Sequence, residues 1–230
     1  MVDDRIDDER ARRNSALDGL GKLIDGIVVQ ECVRHYDALT QEHQFTSKLA
    51  GAVERELAGT RIDGCSVDVS LQDTPDKGPG SLERKIGADL YISVVLQSDD
   101  EEHPVSKGIL VQAKWDRTLS IDGPDTRRQL SDMLHRSRAS HVWVYSRSGV
   151  VSIPAADFMQ GKTAEHVTTP GQLIADGLKC TEGDQHIGRD LGKPLVQSLN
   201  EIIREIAARK ALSLRVRFRR RRLRLTRGLR

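Results

Sequence analysis

Three polar side chains occur at the ends of two apolar segments in the middle of the sequence. Asp89 precedes the apolar run 90–96, and Gln112 and Lys114 close a second run of the same kind. Both runs are rich in β-branched residues and flank a hydrophilic segment, a pattern that predicts two strands joined by a hairpin-like loop. Residues two apart on a strand share a face, so Gln112 and Lys114 are expected side by side. Polar groups on such apolar strands need a partner or a chemical role.

The chemistry that these residue types can support is metal-assisted hydrolysis. Mg²⁺ prefers oxygen ligands, which the Asp89 carboxylate, the Gln112 amide and the Ala113 backbone carbonyl can supply. The Lys114 ammonium can orient or deprotonate an attacking water, or offset charge that develops on a phosphate. The plainer alternative is a surface hairpin in which Asp89 caps a turn while Gln112 and Lys114 face water.

The sequence Gly-Ala-Asp before one strand, followed by Gln-Ala-Lys at the end of the next, resembles the PD-(D/E)xK nuclease superfamily. The similarity is to the branch with Gln in place of the second acid, as in type IV restriction enzymes, and it covers residues 40–155. It implies that Asp89 and Gln112 bind Mg²⁺ or Mn²⁺ and that Lys114 is catalytic. The amide is a departure from the acidic pattern, since a neutral ligand binds Mg²⁺ less strongly than a carboxylate does.

An amphipathic helix predicted over residues 41–58, with Thr40 as its N-cap, adds two candidate acids. At about 100° per residue, Glu42 and Glu56 fall within the apolar stripe of this helix, whereas Glu54 points to the opposite side. A carboxylate on a core-facing stripe is costly unless it is paired or holds a metal. The resemblance implies that Glu42 completes the metal site, and Glu56 is an additional candidate. The alternative for both is the rim of an ordinary amphipathic helix.

Further polar residues flank the same strands. Glu83 resembles a position where some nucleases of this type keep an acid, although a salt bridge to a neighbouring base would also explain it. A basic helix is predicted from residue 125 to residue 138, in which Gln129 could touch the metal-bound water or the DNA. Its arginines either hold phosphates without reading sequence or form a solvated face; the candidate phosphate contacts are Arg127, Arg128 and Arg136.

The remaining periodic segments predict an α/β fold. An N-terminal helix is expected over residues 15–39, a strand over 64–71, a hairpin over 141–153 and a last helix over 194–211. Together with the two central strands they predict a restriction-endonuclease-like core, that is, a mixed central β-sheet flanked by helices, with N- and C-terminal helical extensions.

The chain divides on this basis into three regions. Residues 1–39 form a helical extension, residues 40–211 a nuclease-like α/β domain, and residues 212–230 an Arg-rich tail. Because the tail alternates Arg with Leu, Val and Phe, it is a phosphate-gripping arm, an added edge strand or a low-complexity end. Residues 156–163 match a relaxed phosphate-binding loop, but bulky side chains within them suit such a loop badly.

The charge distribution is asymmetric. The segment 209–230 contains 11 Lys and Arg and no acid, so of 36 basic and 34 acidic residues in all, 25 and 34 remain in the body, a formal charge of −9. A DNA-binding face must therefore be local or come from the tail. With no apolar run of about 18 residues, no signal peptide and scattered cysteines, we expect a cytoplasmic protein without membrane association.

These features favour a Mg²⁺-dependent endonuclease acting on DNA, in bacterial defence or restriction. The alternative from another class is a catalytically inactive module that keeps the nuclease fold for nucleic-acid binding or complex assembly. RNA is the alternative substrate. No helicase motif is present, so a sensor or motor that the nuclease needs would be a separate subunit. A homodimer is also compatible with the sequence.

Overall fold

The computed structural model of the chain describes residues 3–73, 88–98, 104–119 and 123–218, with side chains from residue 8 onward. These residues form a seven-stranded mixed sheet with helices packed on both faces. The predicted α/β class, a mixed central sheet flanked by helices, is therefore confirmed.

The strands coincide with the apolar, β-branched segments of the sequence, which pack well on a pleated surface. In chain order they are β1 (Thr60–Ile62), β2 (Cys65–Asp73), β3 (Leu90–Ser98), β4 (Val105–Trp115), β5 (Ser140–Ser146), β6 (Gly149–Pro154) and β7 (Lys210–Phe218). Their order in the sheet is β1-β2-β7-β3-β4-β5-β6. Strand β3 is antiparallel to β4 and parallel to β7, while β4 is parallel to β5.

Helices cover both faces of the sheet. They are α1 (Asp3–His35), α2 (Glu42–Leu57), α3 (Pro124–Arg136), α4 (Ala155–Met159), α5 (Pro170–Leu178) and α6 (Leu195–Ile206), with a 3₁₀ turn at Asp116–Thr118. Helices α1, α2 and α5 lie on one face, here called the α1 face; α3, α4 and α6 lie on the other, the α6 face. Across the described ranges, no helix combines the length and apolarity needed to cross a membrane.

Strand alternation decides which face receives the candidate residues. Val111, Ala113 and Trp115 of β4 contribute to the core on the α1 face, whereas Leu110 contributes to the core on the α6 face. Side chains two apart on a strand share a face. Gln112 therefore projects with Leu110 toward the α6 face, and the next residue on that side is Lys114.

The C-terminal boundary of the predicted domain needs correction. The last helix was expected to reach residue 211, but α6 ends at Ile206, and the next residue, Ala207, has a left-handed φ of 53°. Residues 212–218, assigned to the tail, belong to β7, which lies between β2 and β3. Their alternation is that of a buried strand, because Leu212, Leu214 and Val216 enter the core on the α1 face. Residues 219–230 lie outside the described ranges.

Two smaller expectations also differ. The N-terminal helix, expected over residues 15–39, spans Asp3–His35. Helix α2 begins at Glu42, so its N-cap is Gln41 rather than Thr40, and no side chain caps it. The segment compared with a phosphate-binding loop begins as helix α4, in which Phe158 is fully buried. Phe158 therefore belongs to the packed core.

Candidate active site

Asp89 is held against the end of β4 by backbone and side-chain contacts. Its N–H donates to the Val111 carbonyl oxygen at 2.9 Å. Its carboxylate oxygen Oδ2 accepts a hydrogen bond from the Ala113 N–H at 2.9 Å and another from the Gln112 amide Nε2. Asp89 and Gln112 are only 6% and 3% exposed. The antiparallel register of β3 and β4 thus brings the Gly-Ala-Asp and Gln-Ala-Lys segments into direct contact.

Glu42 reaches the same end of β4 from the first turn of α2. Its Oε1 accepts a hydrogen bond from the Trp115 N–H at 3.0 Å, and its Oε2 lies 3.8 Å from Lys114 Nζ. The Glu42 and Lys114 side chains are 26% and 17% exposed, so both are accessible from solvent. Glu42, Asp89, Gln112 and Lys114 therefore form one contiguous group, which we call the motif cluster.

Two residues that the sequence did not point to also act on this group. Arg209 Nε lies 3.3 Å from Asp89 Oδ1, and the Arg209 N–H donates to the Ala88 carbonyl oxygen at 3.1 Å. His43 is close enough to Asp89 that a proton on its imidazole would favour the ionised form of the carboxylate. Its position directly after the candidate Glu42 was the feature of the sequence that could have indicated His43. Arg209 carried none, because it opens the basic segment that was interpreted as flanking a tail.

Burial raises the pKa of Asp89 above its ordinary value, because a carboxylate without water is disfavoured in its charged form. The hydrogen bond from the Ala113 N–H and the positive charges of Arg209, Lys114 and His43 oppose this shift in that order. Burial outweighs their combined effect. A further positive charge at this carboxylate would therefore be favourable.

The oxygen atoms of the motif cluster are of the kinds that a hard divalent cation prefers. Asp89 and Glu42 supply carboxylates, and Gln112 Oε1 is buried without a hydrogen-bond partner. The N–H and C=O groups of one strand residue point toward the same neighbouring strand. Because the Ala113 N–H donates to Asp89, the Ala113 carbonyl also points toward Asp89. Such a mixed set of carboxylate, amide and carbonyl oxygens suits Mg²⁺. Within the described ranges, no group of three or more His, Cys, Asp or Glu side chains could hold a metal ion, at this end of β4 or elsewhere.

The other candidate acids lie elsewhere. Glu56 is 14 residues after Glu42, about 21 Å farther along the helix axis, and its half-exposed side chain contacts Arg55. It was Glu54, expected to face away, that points to the sheet, where it accepts a β2 backbone N–H. A shared helix face does not bring residues to one site when the axial distance is this long. Glu83 lies outside the described ranges.

The candidate residues of α3 divide into buried and exposed groups. Gln129 has its Oε1 buried without a hydrogen-bond partner, on a helix that packs against β4 and β5. Arg127 and Arg128 are exposed. Arg136 instead donates to the Glu205 carbonyl oxygen at 2.6 Å, near the end of α6. The exposed Arg128 pairs with Asp125 on the same helix at 3.1 Å, whereas Arg136 joins two helices.

An aromatic group supports the end of β4 from the α1 face. The Trp115 ring lies 5.0 Å from that of Phe45, 5.2 Å from Tyr36 and 5.5 Å from Tyr145, between centroids. The Arg117 guanidinium stacks 4.6 Å from the Trp115 ring centroid. Such packing holds the backbone that Glu42 contacts, and rigid support of this kind keeps a polar site in one geometry.

Comparisons with known proteins add no relative: no family model, curated protein or solved structure matches the chain. The interpretation of the motif cluster therefore depends on its own geometry and chemistry.

Proposed function

We propose that this chain is a metal-dependent phosphodiesterase of the PD-(D/E)xK type that cleaves DNA. The observation that carries the proposal is the convergence of Glu42, Asp89 and the Gln112–Lys114 segment at one end of β4. These residues come from three separate parts of the chain. A surface hairpin with solvated side chains, the plainer alternative, would leave Gln112 exposed, whereas it is buried.

Each residue of the cluster has a role that its contacts support. Asp89, Glu42, Gln112 and the Ala113 carbonyl would hold a divalent cation, which supplies positive charge to polarise a phosphate ester. Lys114 would position the attacking water or neutralise charge that develops on the phosphate. Arg209 orients the Asp89 carboxylate and favours its ionised form.

DNA is the proposed substrate, and α3 is its proposed contact. Arg127 and Arg128 are exposed on this helix, and cations placed in this way bind backbone phosphates without reading base sequence. A role in bacterial restriction or defence suits such an enzyme, with RNA as the alternative substrate. A sensor or motor that directs cleavage would be a separate chain.

Plasmid nicking with Mg²⁺ or Mn²⁺ tests the proposal, and EDTA is the metal-free control. We expect Lys114→Ala to reduce the nicking rate roughly 10²–10⁴-fold while the far-ultraviolet circular dichroism stays unchanged. The matched control is Lys48→Ala, because Lys48 is an exposed lysine on α2 and its loss should leave the rate unchanged. Equal nicking by wild type and Lys114→Ala would remove Lys114 from the mechanism.

One observation favours a second candidate, an inactive nuclease-fold module for nucleic-acid binding or assembly. Asp89 already contacts Gln112, Ala113 and Arg209, so its carboxylate is satisfied within the protein. A network of this kind can be purely structural. Titration calorimetry with Mn²⁺ separates the two candidates, since the enzyme should bind the ion and Asp89→Asn should bind it more weakly. No heat at millimolar Mn²⁺ would favour the module.

A further inference from the structure

The Arg117 side chain is exposed directly after β4, where three contacts hold it. Its guanidinium carbon lies 4.6 Å from the Trp115 ring centroid and 5.1 Å from the Tyr36 ring centroid. Its Nη2 donates a hydrogen bond to the Leu39 carbonyl oxygen at 3.0 Å. A flexible side chain loses conformational entropy when it binds a partner. These contacts have already restricted Arg117, and we call the four residues the Arg117 stack.

The Arg117 stack adjoins the motif cluster on two sides. Trp115, whose ring supports the guanidinium, donates its N–H to Glu42 Oε1 at 3.0 Å. Leu39, which accepts the Arg117 hydrogen bond, precedes Glu42 by three residues. Arg117 follows Lys114 by three residues, so their Cα atoms are at most about 11 Å apart. Because Glu42 and Lys114 are partly exposed, a substrate that reaches them from solvent passes close to Arg117.

The positive charge of Arg117 is not matched within the described part of the chain. Its guanidinium contacts are a carbonyl and two rings, and no carboxylate there forms an ion pair with it. Asp116, the preceding residue, instead accepts the Tyr36 hydroxyl and the Arg117 backbone N–H. Asp37 pairs with Arg147 at 2.8 Å. With one hydrogen bond made, most of the five N–H donors of the Arg117 side chain remain for an external acceptor.

We propose that Arg117 binds a DNA backbone phosphate next to the phosphate that is cleaved, an inference that rests on the proposed nuclease function. A planar guanidinium can donate two parallel N–H groups to one phosphate. Successive phosphates of one strand lie about 3.4 Å apart along the duplex axis. A strand with one phosphate at Lys114 therefore has a neighbouring phosphate within the roughly 11 Å that separate the two residues. Contact with a phosphate fixes the register of the DNA without reading its bases.

This contact complements the one proposed for α3. Arg117 rests on Trp115, whose ring belongs to the core on the α1 face, whereas α3 covers the α6 face. Phosphate contacts at both places would hold the substrate on either side of the strand end that carries Lys114.

Fluorescence anisotropy of a labelled DNA duplex tests this contact in EDTA, which prevents metal-dependent cleavage. We expect Arg117→Met to weaken DNA binding about threefold to tenfold, equally for duplexes of different sequence. The slope of log Kd against log salt concentration should fall by about 1. Arg117→Lys, which keeps a charge, should recover part of the affinity. The matched control is Arg61→Met, because Arg61 is exposed on β1 at the far edge of the sheet, and it should bind as wild type does.

The salt dependence separates a phosphate contact from a purely structural role. If Arg117 only supported the aromatic rings, Arg117→Met would lower the unfolding midpoint and weaken binding without a change in the salt slope, because that slope counts the phosphates that the protein neutralises. An unchanged slope would therefore overturn the proposal. Equal affinity of Arg117→Met and wild type, or no DNA binding by wild type, would overturn it as well.

Failure of the proposed function can be told apart from failure of this contact. Plasmid nicking reports hydrolysis, whereas anisotropy in EDTA reports phosphate binding alone. If wild type nicks plasmid while Arg117→Met binds DNA as wild type does, the nuclease stands and the contact is excluded. If wild type does not nick plasmid but Arg117→Met shows the reduced salt slope, the contact stands and the chain is a DNA-binding module.

Discussion

The motif cluster and the Arg117 stack adjoin at the end of β4, yet they differ in charge balance. In the motif cluster, Asp89 lies beside Arg209 and Glu42 beside Lys114. In the Arg117 stack, the guanidinium contacts two rings and a carbonyl, and no carboxylate among the described residues pairs with it.

This difference in charge balance distinguishes two kinds of ligand site that one sheet can carry. A balanced group is stable by itself, and a cation that enters it competes with the protein's own ammonium and guanidinium groups. An exposed cation that is already held in place has no internal competitor for an incoming anion. Binding at the motif cluster should therefore depend on the internal pairs that the cation displaces, whereas binding at the Arg117 stack should depend mainly on the salt concentration.

After the loss of Lys114, the largest expected effect tests the composition of the motif cluster. Glu42→Gln keeps an acceptor for the Trp115 N–H but removes the charge, so we expect the Mn²⁺-dependent nicking rate to fall roughly 10–100-fold. Glu56→Gln, on the same helix, should leave the rate unchanged, because Glu56 contacts Arg55 at the surface. A nicking assay at subsaturating Mn²⁺ measures both. Equal rates for the two variants would exclude Glu42 from the site.

An effect of intermediate size tests whether ligand affinity at the motif cluster or at the Arg117 stack changes when the whole fold is made less stable. Gly21 and Gly171 let α1 and α5 approach closely, since a Cβ on Gly171 would lie 2.8 Å from the Asp25 carboxylate group. Gly171→Ala should cost about 1–3 kcal/mol, or roughly 2–4 °C in the unfolding midpoint per kcal/mol. DNA and Mn²⁺ affinities should remain those of wild type.

The control for that helix contact is Gly26→Ala. A Cβ on Gly26 of α1 meets nothing within 4 Å, so alanine should stabilise the helix by about 1 kcal/mol or less. Differential scanning calorimetry measures both variants. A destabilised Gly26→Ala, or an unaffected Gly171→Ala, would contradict the packing of α1 on α5.

The smallest expected effect concerns the burial of Asp89. Its folded pKa lies above the unfolded value of about 3.9, so ionisation of Asp89 opposes folding. That destabilising contribution is complete above the folded pKa and disappears as the pH falls below the unfolded pKa. In EDTA, Asp89→Asn should therefore unfold a few degrees higher than wild type at neutral pH, roughly 2–4 °C per kcal/mol. The advantage should vanish in acid.

Denaturation curves between pH 3 and pH 8 measure this dependence, and Asp132→Asn, at an exposed position on α3, is the matched control. An Asp89→Asn protein that is less stable at neutral pH would show that the contacts with Arg209 and Lys114 outweigh burial.

The local elements of the site were predictable because they depend on short-range periodicity. The alternation in β4 placed Gln112 and Lys114 on one face, and the apolar stripe of α2 placed Glu42 toward the core. The Glu56 assignment was wrong for a geometric reason: angle around a helix is readable from sequence, but the part of the helix that reaches a strand end depends on packing.

Residues supplied by β7 were not predictable in the same way. An alternation of Arg with Leu and Val is equally compatible with an arm, an edge strand and a central strand. Its partners, β2 and β3, are more than 100 positions away, and backbone ladders bind without regard to side-chain identity. Arg209 and Arg215 therefore acquired their neighbours only when β7 inserted between those strands.

Because propensity and periodicity are local, the types and faces of most helices and strands could be read from the amino-acid sequence. Tertiary structure decided the strand order. Through that order it set Arg209 beside Asp89 and Arg215 beside Val95. The physical reason is that strand pairing is selected by the burial of the whole core, a sum over distant segments that no single stretch of sequence contains.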